Sequence, residues 1–386
     1  MSLCEWTEGL IAWVKDASRQ TGFDVSGVTA ADNPIDGARF VDWVEAGRAG
    51  EMDWLKRRDE RGALVRSAVK VALPWARSVV VCAMNYNAAA PLSLDVAEPG
   101  AGWIGRYAWS GRKVGEAVQA VDYHDDLLAR LREVEAGLKV RSECETRCYV
   151  DTGPLVERGM ATKAGIGWVG KNTCVIREGM GSWMLMGVIV TSLPLAETTV
   201  ISLPAEDRCG SCTRCLEACP TGALVAPREM DASLCIAYLT IEKKGSITED
   251  LREAVGRQVF GCDICQDVCP WNRKAPIAWK QGLETRRELV NPALEWLAQL
   301  DSAGFRRVFK GSPLERTGKK RLHRNVAIAM GNSGQSQFIP QLEVWAAGED
   351  AVLAESAVWA LGRLRRSGSS EDPVGSVENA SSASIG

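Results

Sequence analysis

The chain is 386 residues long, 46% hydrophobic and 25% charged, too long for one average domain and soluble-globular in composition, so two or three domains are expected. Lys and Arg number 46 against 49 Asp and Glu, a net charge of −3, which excludes an overall basic balance and leaves any nucleic-acid surface to local clustering. No apolar run approaches the roughly 18 residues of a membrane span, and Met1–Gln20 carries acids where a secretory leader is basic, so a cytoplasmic protein without membrane contact is expected.

Up to about residue 200, apolar runs such as Ser78–Met84 and Trp183–Val190 alternate with helical patterns, the mark of an α/β domain. Within it, Gly165-Ile-Gly-Trp-Val-Gly-Lys-Asn172 matches G-x-G-x-x-G and most of the phosphate-loop pattern. Both motifs require a strand before the glycines and a helix after them. Here the order is reversed: Pro154–Lys163 reads as a helix opening at its proline, and Thr173–Arg177 as a strand. Asn172 also replaces the hydroxyl that binds magnesium. The loop is therefore read as a close-approach backbone surface for another large cofactor.

Residues 201–280 hold eight of the thirteen cysteines and little periodicity, as in a module organised by metal. In a reducing cytosol such spacings are metal sites before they are disulfides. Cys209, Cys212, Cys215 and Cys219-Pro220 form C-x-x-C-x-x-C-x-x-x-C-P, the bacterial ferredoxin run whose fourth thiolate serves a second cluster. Cys235 and then Cys262, Cys265 and Cys269-Pro270 complete the pattern. By the crossed ferredoxin logic, one 4Fe-4S cluster takes Cys209, Cys212, Cys215 and Cys269, and the other takes Cys219, Cys235, Cys262 and Cys265. Paired zinc ribbons are the competing reading, although zinc requires neither the third cysteine nor the C-P endings. Cys4, Cys82, Cys144, Cys148 and Cys174 lack this grammar and read as small buried residues. Clusters carry single electrons and transform nothing alone, so a second redox centre or a reacting substrate is required.

Beyond Asn291 the chain looks helical. Asn325–Asn332 resembles Ser356–Arg363 at an offset of 31 residues, which suggests HEAT-like repeats; two unrelated amphipathic helices ending in glycine are the plainer alternative. Phe305–Arg324 contains Arg306, Arg307, Lys310, Arg316, Lys319, Lys320, Arg321 and Arg324 against the single acid Glu315, a local charge of +7 suited to phosphate backbones. From Ser367 a Ser/Gly/Glu-rich tail is expected to be disordered.

The segments Val150–Arg158, Ala164–Asn172, Cys235–Glu242, Gly261–Asn272 and Phe309–Arg316 together resemble the epoxyqueuosine reductases, cobalamin- and iron-sulfur-dependent enzymes of tRNA modification. The likeness runs to about residue 365. It implies an α/β cobalamin-binding domain (1–200), a ferredoxin-like domain with two 4Fe-4S clusters (201–280), a helical HEAT-like RNA-contacting domain (281–366) and a tail (367–386). It further implies reduction of the epoxide of epoxyqueuosine at the wobble position to the alkene of queuosine. The implied partners are a tRNA anticodon stem-loop and an external donor of flavodoxin or ferredoxin type, and a monomer is expected.

An alkoxide leaves badly, so an acid should protonate the epoxide oxygen. Asp151 resembles the family's proton donor, and burial beside corrin and substrate is what would keep a carboxyl protonated at neutral pH. Read without the resemblance, Asp151 or Thr152 caps the helix expected from Pro154. Arg61, Arg106, Tyr123, Asp151, Lys171 and Asn172 are the residues expected at cobalamin. One departure stands out: the family's short W-G-x-D-Y-H link is stretched between Trp109 and Asp122-Tyr123-His124. Leu127 stands where the axial-histidine motif D-x-H-x-x-G has glycine, so cobalamin is expected without a protein ligand, which eases reduction of its metal. A reductive dehalogenase, usually exported, and an electron-transfer ferredoxin with an RNA-binding appendage are the competing functions.

Overall fold

A computed structural model of the chain describes residues 5–32, 35–95, 97–195, 204–277 and 283–368. Cys4 and nearly all of the expected tail fall outside these residues. The two apolar runs of the sequence become the centre of a four-stranded sheet. Its order is Val25–Ala30, Ser78–Asn85, Met184–Thr191, Thr146–Tyr149, with Val81 opposite Val188, and every pairing is antiparallel. The α/β region is thus a layered structure on an antiparallel sheet, without βαβ windings.

Both faces of that sheet are covered, which is why its central strands read as continuous apolar runs without polar alternation. Val80, Cys82 and Met84 pack with Leu127, Leu131 and Val134 of the helix Tyr123–Arg141, whereas Val79, Val81 and Ala83 pack with Met160, Ala161 and Ile166.

The three expected regions are interleaved rather than strung end to end. Trp103–Ile104 pairs in parallel with Gln258–Phe260, and Leu283–Thr285 pairs with Ser110–Val114, which forms a hairpin with Ala117–Ala120. That hairpin, turning at Gly115 with φ 63°, takes up the stretch between Trp109 and Asp122. One core contains Trp103, Ile104 and Trp109 together with Val259, Phe260, Phe309, Val326 and Met330. Buried Asn325 strengthens the junction by donating to the carbonyls of Thr240 and Val259, each at 2.8 Å.

The two similar segments lie on the helices Gly318–Ser333 and Ala351–Gly368, which pack against each other. A Cβ on Gly331 would stand 2.8 Å from the Cα and Cβ of Ala360. The shared Ala/Gly pattern therefore marks a close helix crossing. Among the described residues no helix is long and apolar enough to cross a membrane.

In an exposed helix, Gly331→Ala would gain about 1 kcal/mol of helix propensity. Here the added methyl overpacks the crossing at a cost of about 1–3 kcal/mol. Chemical denaturation should therefore place the unfolding midpoint of the variant below that of the parent.

Candidate active site

The cysteine motifs fold into two short helices, Arg214–Glu217 bearing Cys215 and Ile264–Asp267 bearing Cys265, which pack together. Each motif closes with a Cys-Pro pair, Cys219-Pro220 and Cys269-Pro270. The thiols lie close enough to perturb one another. Beyond the effect of burial, Cys215 feels Cys209 and Cys212, and Cys269 feels Cys209 and Cys215. Likewise Cys235 feels Cys219, and Cys262 feels Cys235 and Cys219. Cys265 is perturbed first by a hydrogen bond with Cys174, then by burial, and also by Cys262 and Cys235. Cys174 lies between the two groups and acts on Cys235, Cys265 and Cys269. Among the described residues no three His, Cys, Asp or Glu side chains gather around a point fit for a single metal ion, whereas a cubane meets each thiolate at a different corner. The donor set fits two 4Fe-4S clusters.

The second centre is built on Asp151, which follows the strand Thr146–Tyr149 and adopts φ 55°, a left-handed conformation costly for a residue with a Cβ. Its Oδ2 accepts from the Tyr123 hydroxyl at 2.5 Å and lies 3.5 Å from His124 Nε2. His124 Nδ1 is 2.7 Å from Asp122 Oδ1. Asp122 caps the helix Tyr123–Arg141 and accepts from the His124 backbone N–H at 3.0 Å. Aspartate, imidazole and aspartate thus form a row, with Tyr123 stacked on His124 at 4.0 Å between ring centroids. Burial alone would lower the His124 pKa, but hydrogen bonds and charge from Asp122 and Asp151 outweigh it and hold it at about 9. The helix expected from Pro154 begins at Glu157 with Val156 as an N-cap lacking a side-chain bond. The capping role therefore does not account for Asp151.

Beside Asp151 opens a cleft of about 660 Å³, lined by Trp43, Arg66, Glu157, Arg158, Thr173 and Met230 among others. Arg66 donates to the Asp151 carbonyl at 3.3 Å. Glu157 points a buried Oε1 with no hydrogen-bond partner; burial, aided by the charge of Asp151 and opposed by Arg66 and Arg158, raises its carboxyl to about 8. Thr173 in the wall adjoins Cys174, whose thiol meets Cys265, so the cleft lies next to the second thiol set. An orphaned carboxyl, two arginines and apolar walls suit a large amide-bearing ligand such as cobalamin.

The residues expected around that cofactor divide. Tyr123 stands beside Asp151 despite the inserted hairpin. Lys171 donates to the carbonyls of Gly210 and Cys212 at 2.7 and 2.9 Å, and Asn172 to that of Cys265 at 3.3 Å. Their loop is the turn between the paired strands Trp168–Val169 and Val175–Ile176, so it ties both cysteine loops in place and cradles no phosphate. Arg61 lies on an exposed turn organised by Asp59. Arg106 needs correction: it is 1% exposed, donates to Asn87, Ala88 and Pro91, and is stacked between Trp109 and Trp183. That enclosure makes it a core strut with no side-chain surface for a ligand.

The basic stretch divides as well. Arg306, Arg307, Lys310, Arg316 and Lys320 are exposed and Lys319 is half-buried. Arg321 donates to the carbonyls of Thr317 and Ile241. Arg324 is 1% exposed and donates to the carbonyls of Leu239, Lys243 and Gly245. The local charge of +7 therefore overstates what faces solvent, because Arg324 bonds the helical part to the cysteine module.

Residues 208–272 match the family model for a 4Fe-4S double cluster binding domain, and residues 66–152 match that described as epoxyqueuosine reductase QueG, DUF1730. The epoxyqueuosine reductase of Xanthomonas campestris pv. campestris is 35% identical over 91% of this chain and 95% of its own, and that of Escherichia coli K12 is 34% identical over 90% and 88%. This chain belongs to the epoxyqueuosine reductase family. It is an oxidoreductase that binds two 4Fe-4S clusters. Solved members superpose over nearly the full length. An epoxyqueuosine reductase crystallised with an epoxyqueuosine-modified tyrosine tRNA stem-loop gives a TM-score of 0.80 at 28% identity, covering 95% of each chain. The Bacillus subtilis epoxyqueuosine reductase, described with its catalytic aspartate loop swung out of the active site, gives 0.79 at 29% identity over 92% of this chain and 90% of that one.

Sequence reasoning on this family member missed three site residues. His124 was considered only as a metal ligand; the flanking Asp122, two residues before it, was the available signal for its charged role. Glu157 lies inside Val150–Arg158, but nothing in its spacing shows a buried oxygen. Arg66 reaches Asp151 across 85 residues of chain, a contact only the fold creates.

Anaerobically reconstituted protein should contain about eight irons and eight sulfides per chain. Replacing Cys215 with Ala should remove about half of that iron, whereas Cys148→Ala should leave it unchanged; iron and sulfide analysis reads both.

Proposed function

We propose that the chain reduces epoxyqueuosine at the wobble position of tRNA to queuosine, with Asp151 protonating the epoxide oxygen and cobalamin bound in the cleft beside it. The observation that carries the assignment is Asp151 itself, held at positive φ at the end of a Tyr123–His124–Asp122 row and next to the cleft. The net reaction adds two electrons and two protons to the epoxide and releases its oxygen as water. Cobalamin, when bound, supplies low-valent cobalt that donates electron density to the epoxide carbon.

This chain's own residues manage the protons and the geometry. The side chain of Asp151 is 48% exposed, so bound cofactor and substrate complete its enclosure and keep its proton from water. After transfer, the Tyr123 hydroxyl stabilises the carboxylate and the His124 imidazolium returns a proton across 3.5 Å. Asp122 holds the imidazole ring with Nε2 toward Asp151. Glu157, Arg66 and Arg158 bind the cofactor's periphery. Electrons enter singly from an external flavodoxin- or ferredoxin-type donor and pass through the two clusters. The protein works as a cytoplasmic monomer, and Arg306, Arg307 and Lys310 contact tRNA phosphates.

Asp151→Asn should lower turnover by about 10²–10⁴-fold, the usual worth of a general acid, with cluster absorbance unchanged. The folded pKa of His124 exceeds its unfolded value, so the stability its charge brings is complete below about pH 6.5 and is lost as pH rises through about 9, while the folded imidazole itself stays charged through neutral pH. Turnover should accordingly hold through neutral pH and fall across about 9, and His124→Gln should abolish that limb. Charge reversal at Arg306, Arg307 and Lys310 should weaken stem-loop binding and flatten the dependence of log K on log salt by about one unit per lost phosphate contact. The assignment as a whole is tested by nucleoside analysis of tRNA from cells lacking the protein: accumulated epoxyqueuosine supports it, and unchanged queuosine rejects it.

A further inference from the structure

Trp54 is 39% exposed, the only aromatic side chain among the described residues left so open. It sits on the short turn Asp53–Leu55, and the Arg316 guanidinium lies over its ring at 5.1 Å from the centroid. Arg316 is held there by Glu242, 2.7 Å from its Nη2, while its own side chain stays 52% exposed. The result is a pair of stacked planes, fixed by an ion pair and open to solvent. An exposed indole leaves apolar area in water that a purely structural tryptophan would bury.

The pair stands at the edge of the Asp151 centre. Arg316 and Glu242 both act electrostatically on Tyr107, and Arg316 also acts on Asp122. Tyr107 packs edge-on against Tyr123 at 5.8 Å, and Tyr123 bonds Asp151. Further exposed cations flank both members of the pair in sequence. Arg57 and Arg61 are exposed on the loop that carries Trp54, with side chains lacking a partner among the described residues. Arg306, Arg307 and Lys310 precede Arg316 on the helical side. Aromatic and guanidinium planes set among phosphate-binding cations are the recurring apparatus for single-stranded nucleic acid.

We infer that Trp54 and Arg316 form a stacking platform for the nucleobase adjacent to the modified wobble nucleotide. The inference rests on the tRNA reading above and adds to it a named subsite. To bring its epoxide to Asp151, the wobble nucleotide must leave the stack of the anticodon loop, and its neighbour then loses a stacking partner. The Trp54–Arg316 pair replaces that partner at the rim of the same centre. Because every base has a π face, the platform takes any base and selects for a splayed loop rather than for a sequence.

The test uses the full chain with its clusters and an epoxyqueuosine-containing anticodon stem-loop carrying 2-aminopurine at one or the other position flanking the wobble nucleotide. Binding to the parent protein should quench the fluorescence at one position. Trp54→Ala should relieve that quenching and raise Kd by about tenfold, the worth of one stacked base, with the salt slope unchanged because no phosphate contact is lost. Trp54→Phe should keep most of both effects. Quenching and Kd unaltered in Trp54→Ala would overturn the platform, as would a defect confined to electron delivery from a protein donor, which would make the pair a protein-docking site. Failure of the parent protein to bind the stem-loop at all would instead overturn the tRNA reading itself.

Discussion

The crossing of thiolates between two motifs is the constraint on which the rest of this structure depends. In the proposed grouping Cys269 joins Cys209, Cys212 and Cys215, while Cys219 joins Cys235, Cys262 and Cys265. Neither cage can close from one motif alone. Cluster formation therefore joins residues about sixty positions apart and fixes the module that the remaining chain is packed around. Lys171 and Asn172 extend the constraint, since both donate to carbonyls of the cysteine loops and tie the turn beside the cleft to that module.

The centre around Asp151 follows a different logic, in which local conformation positions a carboxyl and charge sets its neighbours. A left-handed Asp151 and an orphaned Glu157 oxygen are both unfavourable for the free protein. Such features persist where a bound group or a reacting atom uses them, and here they flank one cleft. Hydrogen bonds and charge from Asp122 and Asp151 outweigh burial and raise the His124 imidazole to about 9, which places a proton 3.5 Å from Asp151 Oδ2 at neutral pH.

Much of this was legible in the sequence because it depends on short spacing. The cysteine runs, the reversed order around Gly165–Asn172 and the covered central strands follow from patterns a few residues long. What depends on distant pairing was not legible. Arg106 and Arg324 carry the composition of ligand and RNA contacts, yet burial makes each a strut, and no local pattern separates a solvated arginine from an enclosed one. The likeness of Asn325–Asn332 to Ser356–Arg363 was visible as repetition, but its physical basis is a close approach between Gly331 and Ala360. The stretch between Trp109 and Asp122 leaves Tyr123 in place because it turns at Gly115 and pairs with Leu283–Thr285.

The interleaving of strands bears on how the protein is made. Trp103–Ile104 and the Ser110–Val114 hairpin have their sheet partners at Gln258–Phe260 and Leu283–Thr285, so during synthesis their edges wait unpaired until well over a hundred further residues have left the ribosome. Cys269 is translated between those two partners, so the thiol set is complete only in the same interval. Completion of the thiol set and pairing of these strand edges thus both wait for the last third of the chain, which leaves the nascent protein's edges exposed for longest.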